Sequence, residues 1–482
     1  MNRRRQMLMV AYFFPPLGGA GVQRSLKFAK YLPQEGWDLT VLTVRARDYW
    51  MVDESLTREL TQISRPTSSV GRVDEQPQQI IEEKSDLASS DLGSSGLGSS
   101  GLGSSGLEPG VQVIRTTSLT GLALIKRLVP KQAGRHGQPR GSSKALRRLR
   151  RLASWFLLPD AYRGWVPFAT RAGAKLLEAQ PFDLIYTTSS PDSAHLVGLS
   201  LSRRFRLPWV ADFRDPWTHR MSFQPPTRWH SAWQSQMERR VLREATLVTV
   251  TADETREDFL RLYPELPPEK IQVVTNGFDE EDFAPWNEVH PQGDRMQILH
   301  AGQLNPERPA KPFLEGLRRL VETQPHARER LRVRFLGPHY AGDPACAKEM
   351  GLERIVGFES GRPHHELVRE LLTSHLLLLM EQDSERGGLI LPGKIFEYLR
   401  TRRPILALLP PGAAWNLITR LQAGRCCRTG DSRAVAEALG AYLREFERGG
   451  IASTGLAGDD LLAFERHTLA RRLASLIEPL CS

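Results

Sequence analysis

Met7-Leu8-Met9-Val10-Ala11-Tyr12-Phe13-Phe14-Pro15-Pro16-Leu17-Gly18-Gly19-Ala20-Gly21-Val22-Gln23-Arg24 carries a strand, a turn and a helix start in succession. Met7–Phe14 is an unbroken apolar run, the pattern of a strand buried on both faces. Pro15 and Pro16 end it, because neither can donate to a ladder. Gly18–Gly21 makes a turn, and Val22, Leu26, Ala29 and Leu32 then recur at helical spacing until Gly36 closes the element. Leu39–Val44 is the next apolar run. A strand, a glycine turn, a helix and a strand predict a parallel sheet with crossover helices. The basic Met1–Arg5 ahead of the apolar run has the outline of a secretory leader. No A-x-A-like cleavage site follows, and the run feeds straight into the turn and helix, so the strand reading and a cytoplasmic location are expected.

The alternation stops between about Gln62 and Gly110. There Leu-Gly-Ser-Ser-Gly repeats three times from Leu92 and ends at Leu107, behind an acidic patch that includes Glu82, Glu83 and Asp86. Such a composition cannot offset its ordering entropy, so 62–110 is predicted to be a disordered surface insertion. The pattern resumes at Val111–Ile114 and continues through strands at Asp183–Thr188, Trp209–Asp212, Leu247–Thr251 and Ile271–Val274. Trp286–Asp294 is polar and unpatterned, a linker. A second alternation then begins at Gln297–Ala301 and includes strands at Leu331–Leu336, Leu376–Met380 and Pro404–Leu409. The expected class is α/β: two Rossmann-like parallel-sheet domains, 1–290 and 291–465, facing across a cleft. A C-terminal helix at 466–482 is expected to pack back on the N-terminal domain. In such sheets ligands bind at the carboxyl ends of the strands.

The 482 residues carry a formal net charge of +10, which by itself suggests a polyanion binder. Between Gly110 and Pro159, however, there are eleven Lys and Arg and no Asp or Glu, leaving 54 basic against 55 acidic residues elsewhere. The excess is one segment on a near-neutral body, which argues against nucleic acid. Within the basic segment 120–160, Leu146, Leu149, Leu152, Ala153, Phe156 and Leu157 share one helical face. Lys144, Arg147, Arg148, Arg150 and Arg151 share the other. That pattern suits an anionic membrane surface as well as a helix packed on a sheet with a solvated basic side. The longest uncharged apolar runs are too short and too broken by prolines to span a bilayer. Cys346, Cys426, Cys427 and Cys481 fit neither a disulfide framework nor a common zinc spacing.

Four stretches carry candidate chemistry. Gly18 and Gly19 open a helix N-terminus, where backbone N–H groups and the helix dipole suit a phosphate; the loop is neither a dinucleotide fingerprint nor a Walker loop. In Glu385–Leu399, Gly387, Gly388 and Lys394 precede or begin a helix, and Glu397 lies one turn on. Lys394 adds a full charge to a helix start. Glu397 can accept from vicinal sugar hydroxyls, or simply complement the dipole. After the strand ending at Ala301, Arg308 and Lys311 can clamp a diphosphate. The fourth set is His195, with Thr187–Ser190 before it, and Asp212-Phe213-Arg214-Asp215. His195 fits a catalytic or a core role equally, and Asp212, Arg214 and Asp215 also fit a structural ion-pair knot.

These pieces, in this order, resemble the GT-B-fold glycosyltransferases, specifically the large retaining, nucleotide-sugar-dependent family four. The Ala211-Asp212-Phe213-Arg214-Asp215-Pro216-Trp217 and Leu391-Pro392-Gly393-Lys394-Ile395-Phe396-Glu397-Tyr398-Leu399 stretches are similar to a bacterial branch acting in surface-polysaccharide assembly. The resemblance implies a C-terminal domain that holds the nucleotide-sugar. It also implies two glutamates seven residues apart at the donor site, the second on the ribose. Glu397 matches the second, but Leu389 stands where the first would fall. Gln303 stands where the family usually has an Arg, which shifts the diphosphate clamp toward Arg308 or Lys311.

The implied assignment is therefore donor diphosphate on Gly18, Gly19, Arg308, Lys311 and Lys394, and sugar and ribose on Gly387, Gly388 and Glu397. His195, Asp212 and Arg214 are the catalytic candidates. The partners implied are a nucleotide-sugar donor and a glycan or lipid-linked acceptor, at the inner face of the cell membrane. No cofactor or metal is expected, since cations and helix N-termini can stabilise the departing diphosphate. Two other readings share the motifs: a nucleotide-sugar epimerase or hydrolase, and a non-catalytic nucleotide-sugar-binding protein.

Overall fold

The computed structural model describes residues 3–18, 20–46, 54–63, 110–119, 155, 157–221 and 223–481. Gly19, nearly all of the 62–110 insertion and most of the 120–160 basic segment lie outside the described residues.

Among the described residues thirteen strands appear in chain order: β1 Arg5–Val10, β2 Trp37–Val44, β3 Val111–Thr116, β4 Leu184–Thr188, β5 Trp209–Phe213, β6 Leu247–Val250, β7 Ile271–Val273, β8 Met296–Ala301, β9 Leu331–Leu336, β10 Val356–Glu359, β11 Leu376–Met380, β12 Ile405–Leu408 and β13 Gly424–Cys427. They form two parallel sheets, of order β3-β2-β1-β4-β5-β6-β7 and β10-β9-β8-β11-β12-β13. Each is a doubly wound order that reverses at its first strand, the point where such sheets place ligands.

The apolar run Met7–Phe14 is shorter as a strand than its hydropathy predicts. Met7, Leu8, Met9 and Val10 are fully buried in β1. The chain then leaves the sheet, and Leu17 N–H donates to the Phe14 carbonyl at 3.1 Å, closing the turn at the prolines. The helix Ala20–Tyr31 follows, and a short 3-10 turn Leu32–Glu35 ends on Gly36 at φ 88°. A left-handed cap of that kind favours glycine.

The six-stranded sheet is covered on both faces, and strand alternation decides which residue serves which face. Leu376, Leu378 and Met380 of β11 join a core with Phe313 and Leu317 of the helix Lys311–Thr323 and Leu439 of the helix Ser432–Glu447. Leu377 and Leu379 point the other way, into a core with Val368 of the helix His364–Leu372, Phe396 of the helix Lys394–Thr401 and Leu417. That two-sided burial explains why β11 reads Leu-Leu-Leu-Leu-Met with no polar alternation.

By compactness the chain divides within β5, into Met1–Ala211 with Glu478–Ser482, and Asp212–Ile477. The late part of the chain forms two helices, Gly458–Leu462 and Arg466–Ile477. Between them Phe464 accepts from Phe278 N–H at 3.1 Å and Arg466 N–H donates to Phe278 at 2.9 Å, so the chain pairs there instead of coiling. The last residues belong with the first unit: Arg5 Nη1 donates to the Glu478 carbonyl at 2.6 Å. No helix among the described residues is long and apolar enough to cross a membrane.

Candidate active site

Two of the charged candidates, Arg308 and Lys394, converge at the carboxyl ends of β8 and β11. These strands are neighbours in the sheet at its reversal point. Asn305 folds the loop after β8. Its side-chain Oδ1 accepts from the backbone N–H of Glu307 at 3.0 Å and of Arg308 at 2.9 Å, an Asx turn that aims Arg308 back toward the sheet. Arg308 Nη1 then donates to both carboxylate oxygens of Glu381, at 2.9 and 2.7 Å, and Nη2 donates to the Gln303 carbonyl at 2.7 Å. Glu381 is the residue directly after β11. Lys394, the first residue of its helix, brings Nζ to 3.9 Å from Glu381 Oε1. Its side chain is 17% exposed. Burial, reinforced by Arg308 and opposed by Glu381, pulls its ammonium down to about 8.

His300, on β8, completes the group. Its Nδ1 lies 2.9 Å from the Leu378 carbonyl, which can only accept, so Nδ1 carries the proton. Complete burial and the Lys394 and Arg308 charges hold the ring well below its ordinary value, hence neutral. Nε2 is thus an acceptor. His300 Nε2 and Arg308 Nε are both buried without a hydrogen-bond partner among the described residues. Gly302, at φ 141°, is needed here: a Cβ on it would lie 3.2 Å from Lys394 Nζ and 3.8 Å from His300 Nε2. An acceptor, a buried guanidinium N–H and a low-lying ammonium around a bare glycine backbone can receive an oxyanion together with a hydroxyl. Orphaned buried polar atoms of this kind point to a ligand.

The remaining candidates are placed differently. Lys311 is 62% exposed and faces Glu315 of its own helix at 3.8 Å, so it is not gathered with Arg308 and Lys394. The Glu397 carboxylate meets His364 Nε2 at 2.8 Å. Gly387 N–H donates to Ser384 at 2.9 Å, and a Cβ on Gly388 would lie 2.3 Å from the Pro411 carbonyl, so both glycines fit their own loops closely. Asp212 is fully buried and accepts from Thr249 Oγ1 at 2.7 Å. Arg214 lies 4.0 Å from Asp215, and its carbonyl accepts from Thr251 Oγ1 at 2.8 Å.

In the first unit, Gly18 is buried in the turn after β1. Arg115 of β3 donates from Nη2 to the Pro15 carbonyl of that turn, and burial pulls its guanidinium down to about 10. His195 lies on the first turn of the helix Ser193–Phe205 and is fully buried. Its Nδ1 is 2.8 Å from Thr187 Oγ1, which also accepts from Trp209 Nε1 at 2.9 Å. Beside the turn, the Tyr12 ring packs on Tyr162 at 4.6 Å and on Trp165 at 5.1 Å.

Sequence reasoning missed three members of these sites. Glu381 gives a weak signal, a lone carboxylate directly after an apolar strand. His300 was visible as a polar residue inside an apolar run. Asp160, which accepts from Ser193 N–H at 2.9 Å and Ser193 Oγ at 2.8 Å, acts across 33 residues and leaves no local signal.

A family model described as Glycosyltransferase Family 4 matches residues 127–282. A D-inositol 3-phosphate glycosyltransferase from Kribbella flavida is 25% identical over 139 residues, 26% of this chain. The match spans about a third of that relative's length, 32%. Among solved structures, the trehalose 6-phosphate synthase of Burkholderia multivorans aligns over 99% of this chain and 97% of its own, with TM-score 0.60 at 12% identity. The sucrose-phosphate synthase of Thermosynechococcus elongatus aligns over 99% of both chains, with TM-score 0.57 at 13% identity. At such identities the structural likeness is one of fold. The paired parallel sheets and these alignments give the chain the GT-B fold, and residues 127–282 are similar to Glycosyltransferase Family 4.

Proposed function

We propose that this chain transfers a sugar from a nucleotide-sugar donor to a glycan or lipid-linked acceptor, with retention of configuration, in bacterial surface-polysaccharide assembly at the inner face of the membrane. The observation that carries the reading is the Arg308–Glu381–Lys394 group beside His300 at the β8/β11 reversal point. Arg308 and Lys394 neutralise the donor diphosphate as it leaves, with no metal needed for that task. Glu381 holds both cations in place. His300 Nε2 accepts from a hydroxyl of the transferring sugar, and Glu397, when it exchanges His364 for ligand, accepts from the ribose. Gly387 and Gly388 shape the loop beside the sugar. On the acceptor side the reading rests on Gly18, His195, Asp212 and Arg214.

In the step proposed, the bond from the sugar anomeric carbon to the diphosphate oxygen breaks. The acceptor hydroxyl oxygen bonds to the same face of that carbon, and its proton passes to the departing phosphate oxygen. The nucleoside diphosphate leaves with the proton and the bond pair. Attachment to anionic lipid is supported by the eleven basic residues between Gly110 and Pro159.

The test is turnover of nucleotide-sugars with membrane-derived acceptors by the native chain, Arg308→Ala and Lys394→Ala. Loss of transfer in both variants supports the assignment, and unchanged turnover overturns it. Donor consumed without acceptor would assign the site to hydrolysis or epimerisation instead.

A further inference from the structure

The helix Arg228–Glu244 is built inside out. Its buried face carries His230, Gln234 and Glu238 along with Val241 and Leu242. Glu238 is fully buried and accepts from Trp217 N–H at 3.0 Å, Thr218 N–H at 3.1 Å, the Thr218 hydroxyl at 2.5 Å and Tyr263 Oη at 2.7 Å. Trp217 Nε1 donates to Gln234 Oε1 at 2.9 Å. These bonds fix the rotation of the helix, and the polar side cannot turn outward without orphaning five donors.

The side left outward is aromatic and basic. Trp229 is 59% exposed and Trp233 48%, one turn apart, with ring centroids 4.7 Å apart at 87°. Arg228, Arg239, Arg240 and Arg243 are exposed on the same helix, and no exposed position of it is acidic. Arg239 and Arg240 reach Glu265 and Glu244 at 2.6 and 3.3 Å, while Arg228 and Arg243 have no carboxylate within ion-pair distance among the described residues. Burying the indoles inward would have been the ordinary solution for a helix whose only contact is its own core.

The geometry points to this face as the surface that docks on an anionic lipid bilayer, indoles at headgroup depth and Arg228 and Arg243 on lipid phosphates. Indoles favour that depth because one edge is apolar and the other donates. A crest of two aromatics flanked by cations matches a helix lying in the membrane plane, whereas the anchor of a protein partner sits in a pocket ringed by polar groups. The inference rests on the peripheral attachment put forward above, not on the transfer chemistry. It moves the contact from the basic segment 120–160 to this helix.

The experiment is co-sedimentation of the full chain with phosphatidylcholine vesicles, with and without phosphatidylglycerol, across a salt series. Three variants are compared: Trp229→Ser with Trp233→Ser, Arg228→Glu with Arg243→Glu, and charge reversal at Arg147, Arg148, Arg150 and Arg151. The tryptophan pair should lower partitioning about tenfold on both vesicle types. The Arg228 and Arg243 pair should lower binding to anionic vesicles by at least about tenfold and flatten its salt dependence. Circular dichroism and light scattering confirm a folded chain of unchanged mass. Native partitioning in the tryptophan variant overturns the inference. If the 147–151 variant alone then loses binding, peripheral attachment survives without this helix; if the native chain binds neither vesicle, both fail. A fall in oligomer mass in the tryptophan variant also overturns it, assigning the face to a second copy.

Discussion

The reversal points of the two sheets have the same topology and opposite chemistry. At β1/β4 the first unit places a turn of prolines and glycines, an aromatic group of Tyr12, Tyr162 and Trp165, and a histidine hydrogen-bonded inside the fold to Thr187. At β8/β11 the second unit places two cations and a carboxylate at 2.7–3.9 Å, beside a neutral histidine whose outer nitrogen has no partner among the described residues. One site is lined by aromatic rings, and the other gathers charge around polar atoms that can receive a ligand. The sheet order supplies the place, and the loop residues supply the chemistry. A crevice rich in burdened charge suits a diphosphate, and a neutral aromatic one suits a sugar ring.

The sharpest way to break this contrast is to remove the charge. Arg308→Ala and Lys394→Ala should each lower kcat/KM for the donor by about 100- to 1,000-fold, read by steady-state kinetics. The matching change at β1/β4, Arg115→Ala, should leave donor binding unchanged. Equal losses at both places would mean the charge is not what distinguishes them.

A smaller effect tests the state of Lys394. Its ammonium is pulled down to about 8, so it is charged below that pH and loses the proton as pH rises through it. Donor kcat/KM should fall about tenfold per pH unit above that point, and Lys394→Arg should abolish the fall. The same depression means the folded chain binds fewer protons than the unfolded one between about 8 and 10.5, so stability without ligand rises with pH there. Opposite slopes for stability and for donor affinity are the signature to look for.

His300 gives a third, weaker signal. Its ring is held well below 6.5, so the unfolded chain takes up its proton first as pH falls through 6.5. Stability is fully present above that value and declines below it. Melting temperatures measured from neutral to acidic pH should show the decline, and His300→Gln should flatten it. An unchanged slope would mean that other groups dominate.

How much of this was legible depends on range. A strand buried on both faces announces itself, as at Leu376–Met380, and Leu331–Leu336 also appears where the apolar pattern puts it. β13 escaped because Gly424-Arg425-Cys426-Cys427 is an edge strand with little apolar content. Arg308 and Lys394 were visible as cations at strand and helix ends, since those positions are set by local pattern. Lys311, three residues from Arg308, is equally cationic but turns outward on its helix. Glu397 was visible as a first-turn carboxylate, but its partner His364 lies 33 residues away. The outward placing of Trp229 and Trp233 leaves no local signal, because it is set by the burial of Glu238 on the opposite face of their helix.

His195 offers the finest test of the contrast between the two reversal points, because the same residue fits a catalytic and a structural role. Its partner Thr187 lies against Gly198 of the same helix, where a Cβ would lie 2.4 Å from Thr187 Cγ2 and 2.5 Å from Trp209 Nε1. Gly198→Ala must therefore push Thr187 or Trp209 aside, at a cost of about 1–3 kcal/mol, without touching the imidazole chemically. His195→Gln keeps a polar group near Thr187 but removes the titrating ring. Should His195 act on the acceptor, the Gln variant lowers kcat with melting temperature nearly unchanged, and the Ala variant does the reverse. Should it only fill the site, both variants lower the melting temperature and neither moves kcat more than about twofold. His195 is fully buried with Nδ1 already engaged by Thr187, which favours the second pattern, with a melting-temperature loss of a few degrees. A kcat loss without a stability loss would instead show that the first unit, too, holds a group that acts on substrate.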